Sequence, residues 1–205
     1  MYKQIYILCE GASEIAYIQK FSQFLRDYES DYVILPKDAG GGTVRHVKDA
    51  LKKLFKENKN LNGEIWIWLD HDLYVRGDES LDELEKLCAD KKRKQAQLVF
   101  NTHNFEDFLT LHFSPEIAEA WCQVMAKCGH FTSPLHAVDY APLFKSFLKE
   151  HTNLPEYKKG KNQCIQQMDW QESLAFLKSN TASETLKQRS DMSEKILKIA
   201  PELKH

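Results

Sequence analysis

The first half of the chain alternates short apolar runs with longer stretches in which apolar residues recur every three or four positions. Short runs bounded by turn residues predict buried strands, and the longer spacing predicts amphipathic helices. The predicted strands cover residues 2–9, 31–37, 64–70 and 95–100, with helices at 13–28, 44–58 and 78–94. This alternation predicts an α/β fold with a parallel sheet of about four strands and helices on both faces.

The second half of the chain has a mostly helical pattern, interrupted by one turn-rich segment. Predicted helices cover residues 104–113, 115–128, 141–151, 161–168, 171–180 and 182–200, and the turn-rich segment 129–142 is predicted to be irregular. We therefore expect two units: an α/β domain at residues 1–113, and a helical C-terminal extension at residues 114–205 that packs on or beside it.

Composition narrows the class of protein. The chain has 205 residues, of which 42% are hydrophobic and 28% are charged, as in ordinary globular proteins. No apolar run approaches the roughly 20 residues of a membrane helix, so we expect no membrane partner. Five cysteines without a CxxC motif indicate reduced thiols and a cytoplasmic location. Zinc binding by Cys122, Cys128, His130 and His136 is disfavoured, because their spacing matches no common zinc motif.

Acidic residues follow three of the four predicted strands. Glu10 ends the first strand and Glu14 lies in the next helical turn, Asp70 and Asp72 follow the third strand, and Glu106 follows the fourth. Alternation along an extended chain would place Asp70 and Asp72 on the same side, about 7 Å apart. The carboxyl ends of parallel strands meet at one edge, where several ionised carboxylates would repel each other. A bound Mg²⁺ or Mn²⁺ is the usual resolution.

Each acid taken alone has a simpler explanation, since acids after strands commonly cap helices or face solvent. A D-x-D triplet also occurs often by chance. It is the combination of acids at three strand ends that favours a metal site.

Basic residues suggest where a phosphate could bind. The glycine-rich segment 39–43 precedes a helix carrying Arg45 and Lys48, and Thr43 is the predicted N-cap of that helix. A helix N-terminus of this kind can bind phosphate. The segment lacks the G-K-[ST] ending of a P-loop, which argues against ATP hydrolysis here.

Two motifs resemble the Toprim domain, the acid-bearing α/β module of type IA topoisomerases, bacterial primases and overcoming-lysogenization-defect nucleases. They are Glu10-Gly11 after the first strand and Asp70-His71-Asp72 after the third. Three longer segments resemble the RloB-like family of prokaryotic defence-associated proteins: ILCEGASEIAYIQKF, LVFNTHNFEDFLTLHF and LPEYKKGKNQ. Residues 102–104 are T-H-N where that family has S-N-P, and Phe108 replaces a common tryptophan.

The resemblance implies a metal-dependent nuclease. In that case Asp70 and Asp72 would hold one Mg²⁺ or Mn²⁺, and Glu10 would be a ligand or the general acid/base. Glu14 and Glu106 would be ligands of a second cation, as in two-metal phosphodiester hydrolysis.

The resemblance also implies partners. Lys158, as a catalytic cation, and Lys159 would face the phosphate of a DNA or RNA substrate. Independently of the resemblance, Arg45 and Lys48 are candidate nucleic-acid-binding residues at the start of their helix. Family members often lie beside a large ATPase, which implies an ATPase partner in a genome-defence system.

Other functions compete with the nuclease. A non-catalytic subunit could bind nucleic acid or nucleotide for such an ATPase, although a phosphate-binding surface would not be expected to collect acids. A receiver-type phosphoacceptor lacks its lysine after a fifth strand, and a primase-like transferase lacks room for a zinc-binding module.

Overall fold

A computed structural model describes most of the chain. It covers residues 2–58, 61–89, 96–129, 137–155, 157, 163–186 and 190–201, without the side chains of 137–139 and 163. The strands are β1 (Lys3–Cys9), β2 (Tyr32–Asp38), β3 (Glu64–Asp70) and β4 (Ala96–Asn101). The helices are α1 (Ala12–Asp27), α2 (Val44–Glu57), α3 (Asp72–Val75), α4 (Leu81–Ala89), α5 (Phe105–Thr110), α6 (Pro115–Lys127), α7 (Ala137–His151), α8 (Gln163–Gln166), α9 (Trp170–Ala182) and α10 (Asp191–Ile199).

The strands form a parallel sheet in the order β2–β1–β3–β4. The predicted α/β class, with a four-stranded parallel sheet and flanking helices, is therefore confirmed. Because every strand runs in the same direction, the residues that follow β1, β3 and β4 meet at one edge of the sheet. In α/β folds this carboxyl edge is where ligands usually bind.

The sheet is buried on both faces, as the continuous apolar runs of its central strands require. Ile5 and Ile7 of β1 belong to one core cluster, which includes residues of α1 and of the C-terminal helices. Tyr6 and Leu8, which point the opposite way, belong to a second cluster with α2 and α4. The division into units at 1–113 and 114–205 remains a prediction. No helix of the described ranges has both the length and the apolar character that a membrane crossing requires.

Two sequence predictions were wrong in the helical half. Residues 137–142 are helical rather than irregular, because α7 starts at Ala137 and continues through Pro142. Pro142 is the sixth residue of α7, past the four amides that lack a helical acceptor, so it removes one backbone hydrogen bond from the helix. Tyr140 and Phe144, both fully buried, hold the helix against the core.

The second wrong prediction concerned residues 182–200, which do not form one helix. Ser183 has an extended backbone where α9 ends, and α10 starts after Ser190, whose hydroxyl accepts a 3.1 Å hydrogen bond from the amide of Met192. Ser190 also forms an antiparallel bridge with Asn101 of β4. Contact with the sheet therefore overrides the helical pattern of the sequence.

Candidate functional site

Glu10 joins the ends of the two central strands. It follows the last residue of β1, and α1 begins two residues later. Its Oε2 accepts a 3.0 Å hydrogen bond from the backbone amide of Asp70, the last residue of β3. The carboxylate of Glu10 is thereby held over the end of the neighbouring strand.

Asp70 is held from the other side by Asn101. The two residues pair at the end of β3 and β4, and Nδ2 of Asn101 donates a 2.8 Å hydrogen bond to Oδ1 of Asp70. Oδ1 of Asn101 accepts hydrogen bonds from Nε1 of Trp68, at 2.9 Å, and from the hydroxyl of Ser190, at 2.7 Å. Because two donors occupy its oxygen, the amide of Asn101 must turn its nitrogen towards Asp70.

The electrostatics of Asp70 show that acids gather at this edge. Burial of its carboxyl raises the pKa of Asp70 well above the usual value, and the negative charges of Glu10 and Glu14 raise it further. Glu106 acts in the same direction, whereas the hydrogen bond from Asn101 lowers the pKa. Four of the five predicted acids therefore lie close enough to affect the same proton.

Glu14 and Glu106 are both buried, at 6% and 3% exposed. Oε1 of Glu106 accepts a 2.7 Å hydrogen bond from the hydroxyl of Tyr157. Burial raises the pKa of Tyr157, as do the charges of Glu106 and, more weakly, Glu14, so its hydroxyl stays neutral. The side chain of Ser13, next to Glu14 in α1, hydrogen-bonds to Tyr157.

Asp72 has a different environment from the other acids. The sequence analysis placed it beside Asp70 on an extended strand, but β3 ends at Asp70 and Asp72 is the first residue of α3. Its Oδ2 accepts a 2.8 Å hydrogen bond from Nη1 of Arg76, four residues later in a helical turn, and its Oδ1 accepts one from the amide of Leu73. Asp72 is not among the charges that shift the pKa of Asp70.

The glycine-rich segment closes over Glu10. A Cβ atom on Gly42 would lie 2.6 Å from Oε2 of Glu10, so a larger residue would force this carboxylate to move. The hydroxyl of Tyr74 donates a 2.7 Å hydrogen bond to the carbonyl of Gly42. The predicted N-cap is confirmed, because Oγ1 of Thr43 accepts a 3.3 Å hydrogen bond from the amide of His46.

The predicted basic residues are only partly described. Arg45 and Lys48 lie exposed in the first turns of α2, immediately after the segment that contacts Glu10. Lys158 and Lys159 lie outside the described residues.

The acidic edge matches a hard divalent cation in its chemistry, because its ligands would be carboxylate oxygens. Within the described ranges, however, no three His, Cys, Asp or Glu side chains are already arranged to hold a metal ion. Glu10, Asp70 and Glu106 each give one oxygen to a protein donor. The donor set thus fits Mg²⁺ or Mn²⁺ in its chemistry, and the side chains would have to rearrange to bind it.

Sequence analysis missed three residues of this site. Asn101 had a usable signal, since it is a polar residue at the end of a predicted strand, like the acids. Tyr157 lies in the segment LPEYKKGKNQ, in which the lysines alone were considered. Gly42 has no such signal, because its closeness to Glu10 depends on how two distant loops pack.

Comparison with known proteins adds one finding. The chain matches the family described as RloB-like protein over residues 5–199, nearly its whole length. Searches of curated proteins and of solved structures gave no match. The segments ILCEGASEIAYIQKF, LVFNTHNFEDFLTLHF and LPEYKKGKNQ supply Glu10, Glu106 and Tyr157, respectively, to the acidic edge. The chain belongs to the RloB-like protein family.

Proposed function

We propose that this protein is a Mg²⁺- or Mn²⁺-dependent nuclease that cleaves phosphodiester bonds at the acidic edge of its sheet. The observation that carries the proposal is the gathering of acids at the carboxyl edge of the sheet, where Glu10 accepts a hydrogen bond from the amide of Asp70 and the charges of Glu10, Glu14 and Glu106 all raise the pKa of Asp70. A set of acids this close is stable at neutral pH only if a proton or a cation offsets its charge.

The site residues have separate roles in this proposal. Asp70 is the central ligand, because the charges of the other three acids all raise its pKa. Glu10 is a second ligand or the general acid/base, and Glu14 and Glu106 supply a further pair of carboxylates. The bound cation would lower the pKa of the attacking water and neutralise the phosphate. Asp72, as held by Arg76, would need to leave that ion pair to bind the cation.

The substrate would approach over α2. Arg45 and Lys48 are exposed where this helix starts, and the preceding Gly42 lies against Glu10. Cations in this position can bind the phosphates next to the scissile bond. Lys158 and Lys159 are proposed for the same task on the evidence of their sequence motif alone.

The resemblance to Toprim nucleases and the family membership support two wider proposals. One is that the protein acts in prokaryotic defence against phage in the cytoplasm. The other is that a large ATPase is its partner and controls cleavage. Both extend beyond the site and need the partner protein for a test.

Metal binding and cleavage test the nuclease together. Mn²⁺ and Mg²⁺ are titrated by calorimetry into the wild type, Asp70→Asn and Asp82→Asn, an exposed acid on α4 that serves as the charge-matched control. Cleavage of supercoiled DNA and of RNA is measured in parallel, with and without the ATPase. We expect binding and cleavage in the wild type and in Asp82→Asn, and their joint loss in Asp70→Asn. A wild type that binds neither metal at millimolar concentration would refute the proposal.

A non-catalytic subunit that binds nucleic acid for the ATPase is the second candidate. The ion pair between Asp72 and Arg76 favours it, because this pair withdraws one acid from the site. Nucleic-acid binding without cleavage, in the presence of metal and ATPase, would support this candidate. In that case Arg45→Ala and Lys48→Ala would weaken binding, while Asp70→Asn would not.

A further inference from the structure

Tyr157 connects the helical half of the chain to the acidic edge. It lies between α7 and α8, is 1% exposed, and packs edge-on against Phe144 of α7 at a ring-centroid distance of 4.8 Å. Its hydroxyl donates the 2.7 Å hydrogen bond to Oε1 of Glu106 at the start of α5. A residue of the helical half thus contacts an acid of the sheet edge directly.

The contact is fixed at both ends of the tyrosine. The ring is held in the core by Phe144, and the hydroxyl is also hydrogen-bonded by the side chain of Ser13 in the first turn of α1. Ser13 is itself 4% exposed. The hydroxyl therefore has a defined position between α1 and α5, the two helices that carry Glu14 and Glu106.

We infer that Tyr157 is a positioning residue, which orients the carboxylate of Glu106 towards the cation of the acidic edge. This inference rests on the proposed metal-dependent function. Engaging Oε1 restricts rotation of the carboxylate and fixes the direction in which its other oxygen points. Partners of this kind in other metal sites typically raise metal affinity about 10- to 100-fold.

Tyr17 offers a matched comparison. It is also fully buried in the aromatic core, and its hydroxyl lies 3.0 Å from Nε2 of His112, with no acid of the edge as partner. Tyr17→Phe removes one buried hydroxyl and its hydrogen bond to His112, whereas Tyr157→Phe removes one buried hydroxyl and its hydrogen bonds to Glu106 and Ser13. If both hydroxyls serve only the stability of the core, both substitutions should leave Mn²⁺ affinity unchanged.

The first experiment measures Mn²⁺ affinity by calorimetry and Tm by calorimetric unfolding in the full chain. We expect both variants to lower Tm by a few degrees, and Tyr157→Phe to lower it more because it loses two hydrogen bonds. We expect Mn²⁺ binding to weaken about tenfold in Tyr157→Phe and to stay at the wild-type value in Tyr17→Phe. Unchanged Mn²⁺ affinity in Tyr157→Phe would overturn the inference and leave the proposed function intact.

The second experiment separates this inference from the proposed function. Tm is measured without metal for Tyr157→Phe, Glu106→Ala and the double variant, since alanine removes the acceptor of the Tyr157 hydroxyl. If the hydroxyl orients the carboxylate, the decrease in Tm of the double variant should be smaller than the sum of the decreases in the two single variants. Additive losses would overturn the inference. Absence of Mn²⁺ binding in the wild type would refute the proposed function. The comparison of Tm among the single and double variants would still decide whether Tyr157 orients Glu106.

Discussion

The side-chain amide of Asn101 donates a 2.8 Å hydrogen bond to Oδ1 of Asp70, across the last paired positions of β3 and β4. The amide cannot turn around, because Trp68 and Ser190 both donate to its oxygen. Asp70 thus receives one donor from the neighbouring strand and offers its own backbone amide to Glu10. This arrangement ties the central acid of the site to both adjacent strands.

Replacing Asn101 should be costly. In Asn101→Ala the buried donors of Trp68 and Ser190 lose their acceptor, and Asp70 loses its donor. We expect the free energy of unfolding to fall by about 2–4 kcal/mol, as measured by urea denaturation. Ser190→Ala, the control, removes one donor and the N-cap of α10 and should cost about 1 kcal/mol. Equal stability of Asn101→Ala and the wild type would contradict the hydrogen-bond network described here.

The raised pKa of Asp70 predicts a pH dependence of stability in the absence of divalent cations. Above about pH 4 the unfolded carboxyl is ionised, whereas the folded one keeps its proton up to its raised pKa. The folded state therefore binds more protons in this range, and the free energy of unfolding should fall as the pH rises through it. Asp70→Asn should remove this decrease and be more stable than the wild type near neutral pH.

Denaturation curves in chelating buffer from pH 4 to 8 check this dependence. Adding Mg²⁺ or Mn²⁺ should raise the free energy of unfolding of the wild type near neutral pH. It should leave the free energy of unfolding of Asp70→Asn unchanged. A wild type whose curves follow those of Asp70→Asn at every pH would show that the charges at this edge do not oppose folding.

Gly42→Ala should disturb the site more than the fold. The new Cβ would lie 2.6 Å from Oε2 of Glu10, but the end of a glutamate side chain can move away. We expect a loss of about 1 kcal/mol, from the hydrogen bond between Glu10 and the amide of Asp70. Mn²⁺ affinity should fall more than tenfold, about 1.4 kcal/mol or more in binding free energy.

Gly40→Ala is the control for this prediction. Gly40 has a φ of +76° and open space around its Cβ position, so alanine strains the backbone by about 1–2 kcal/mol without a clash. We expect lower stability and unchanged Mn²⁺ affinity. Calorimetry and urea denaturation of both variants measure the contrast, and equal metal affinity in the two would argue against a role for Gly42.

The two aspartates of the D-x-D motif should behave differently. Asp72→Asn weakens the ion pair with Arg76 and should lower the free energy of unfolding by about 1–2 kcal/mol, because Arg76 keeps its second ion pair with Asp78. It should weaken Mn²⁺ binding less than Asp70→Asn does, because Asp72 lies outside the group of acids that interact with Asp70. Calorimetric Mn²⁺ affinities of the two variants check this order, and the reverse order would restore Asp72 as the main ligand.

His112 should contribute to acid unfolding. His112 is a buried histidine, 1% exposed, and its Nε2 lies 3.0 Å from the hydroxyl of Tyr17. Burial lowers the pKa of His112 to about 3. The unfolded state therefore binds more protons between pH 3 and about 6.5, and stability should be lost as the pH falls through this range.

His112→Gln keeps a hydrogen-bonding side chain and removes the titration. The difference in free energy of unfolding between wild type and His112→Gln should shrink by about 1.4 kcal/mol per pH unit as the pH falls below 6.5. A difference that is constant with pH would show that His112 titrates normally in the folded state.

The sequence by itself determined the parallel sheet and the positions of the acids along it. Apolar runs and their alternation are local properties, so they identify the strands and the two faces that Ile7 and Leu8 bury. Chain order places Glu10, Asp70 and Glu106 after strands, and parallel strands bring such residues to one edge. That part of the site follows from local patterns and strand direction alone.

Only the tertiary structure decided which partner each acid has. Asp72 turns to Arg76 because β3 ends at Asp70, the first residue of the motif, and a helical turn brings residues four apart together. The contacts of Asp70 with Asn101 and of Glu106 with Tyr157 join residues 31 and 51 positions apart. Such pairs depend on strand register and on the packing of distant helices, which no local pattern of residues encodes.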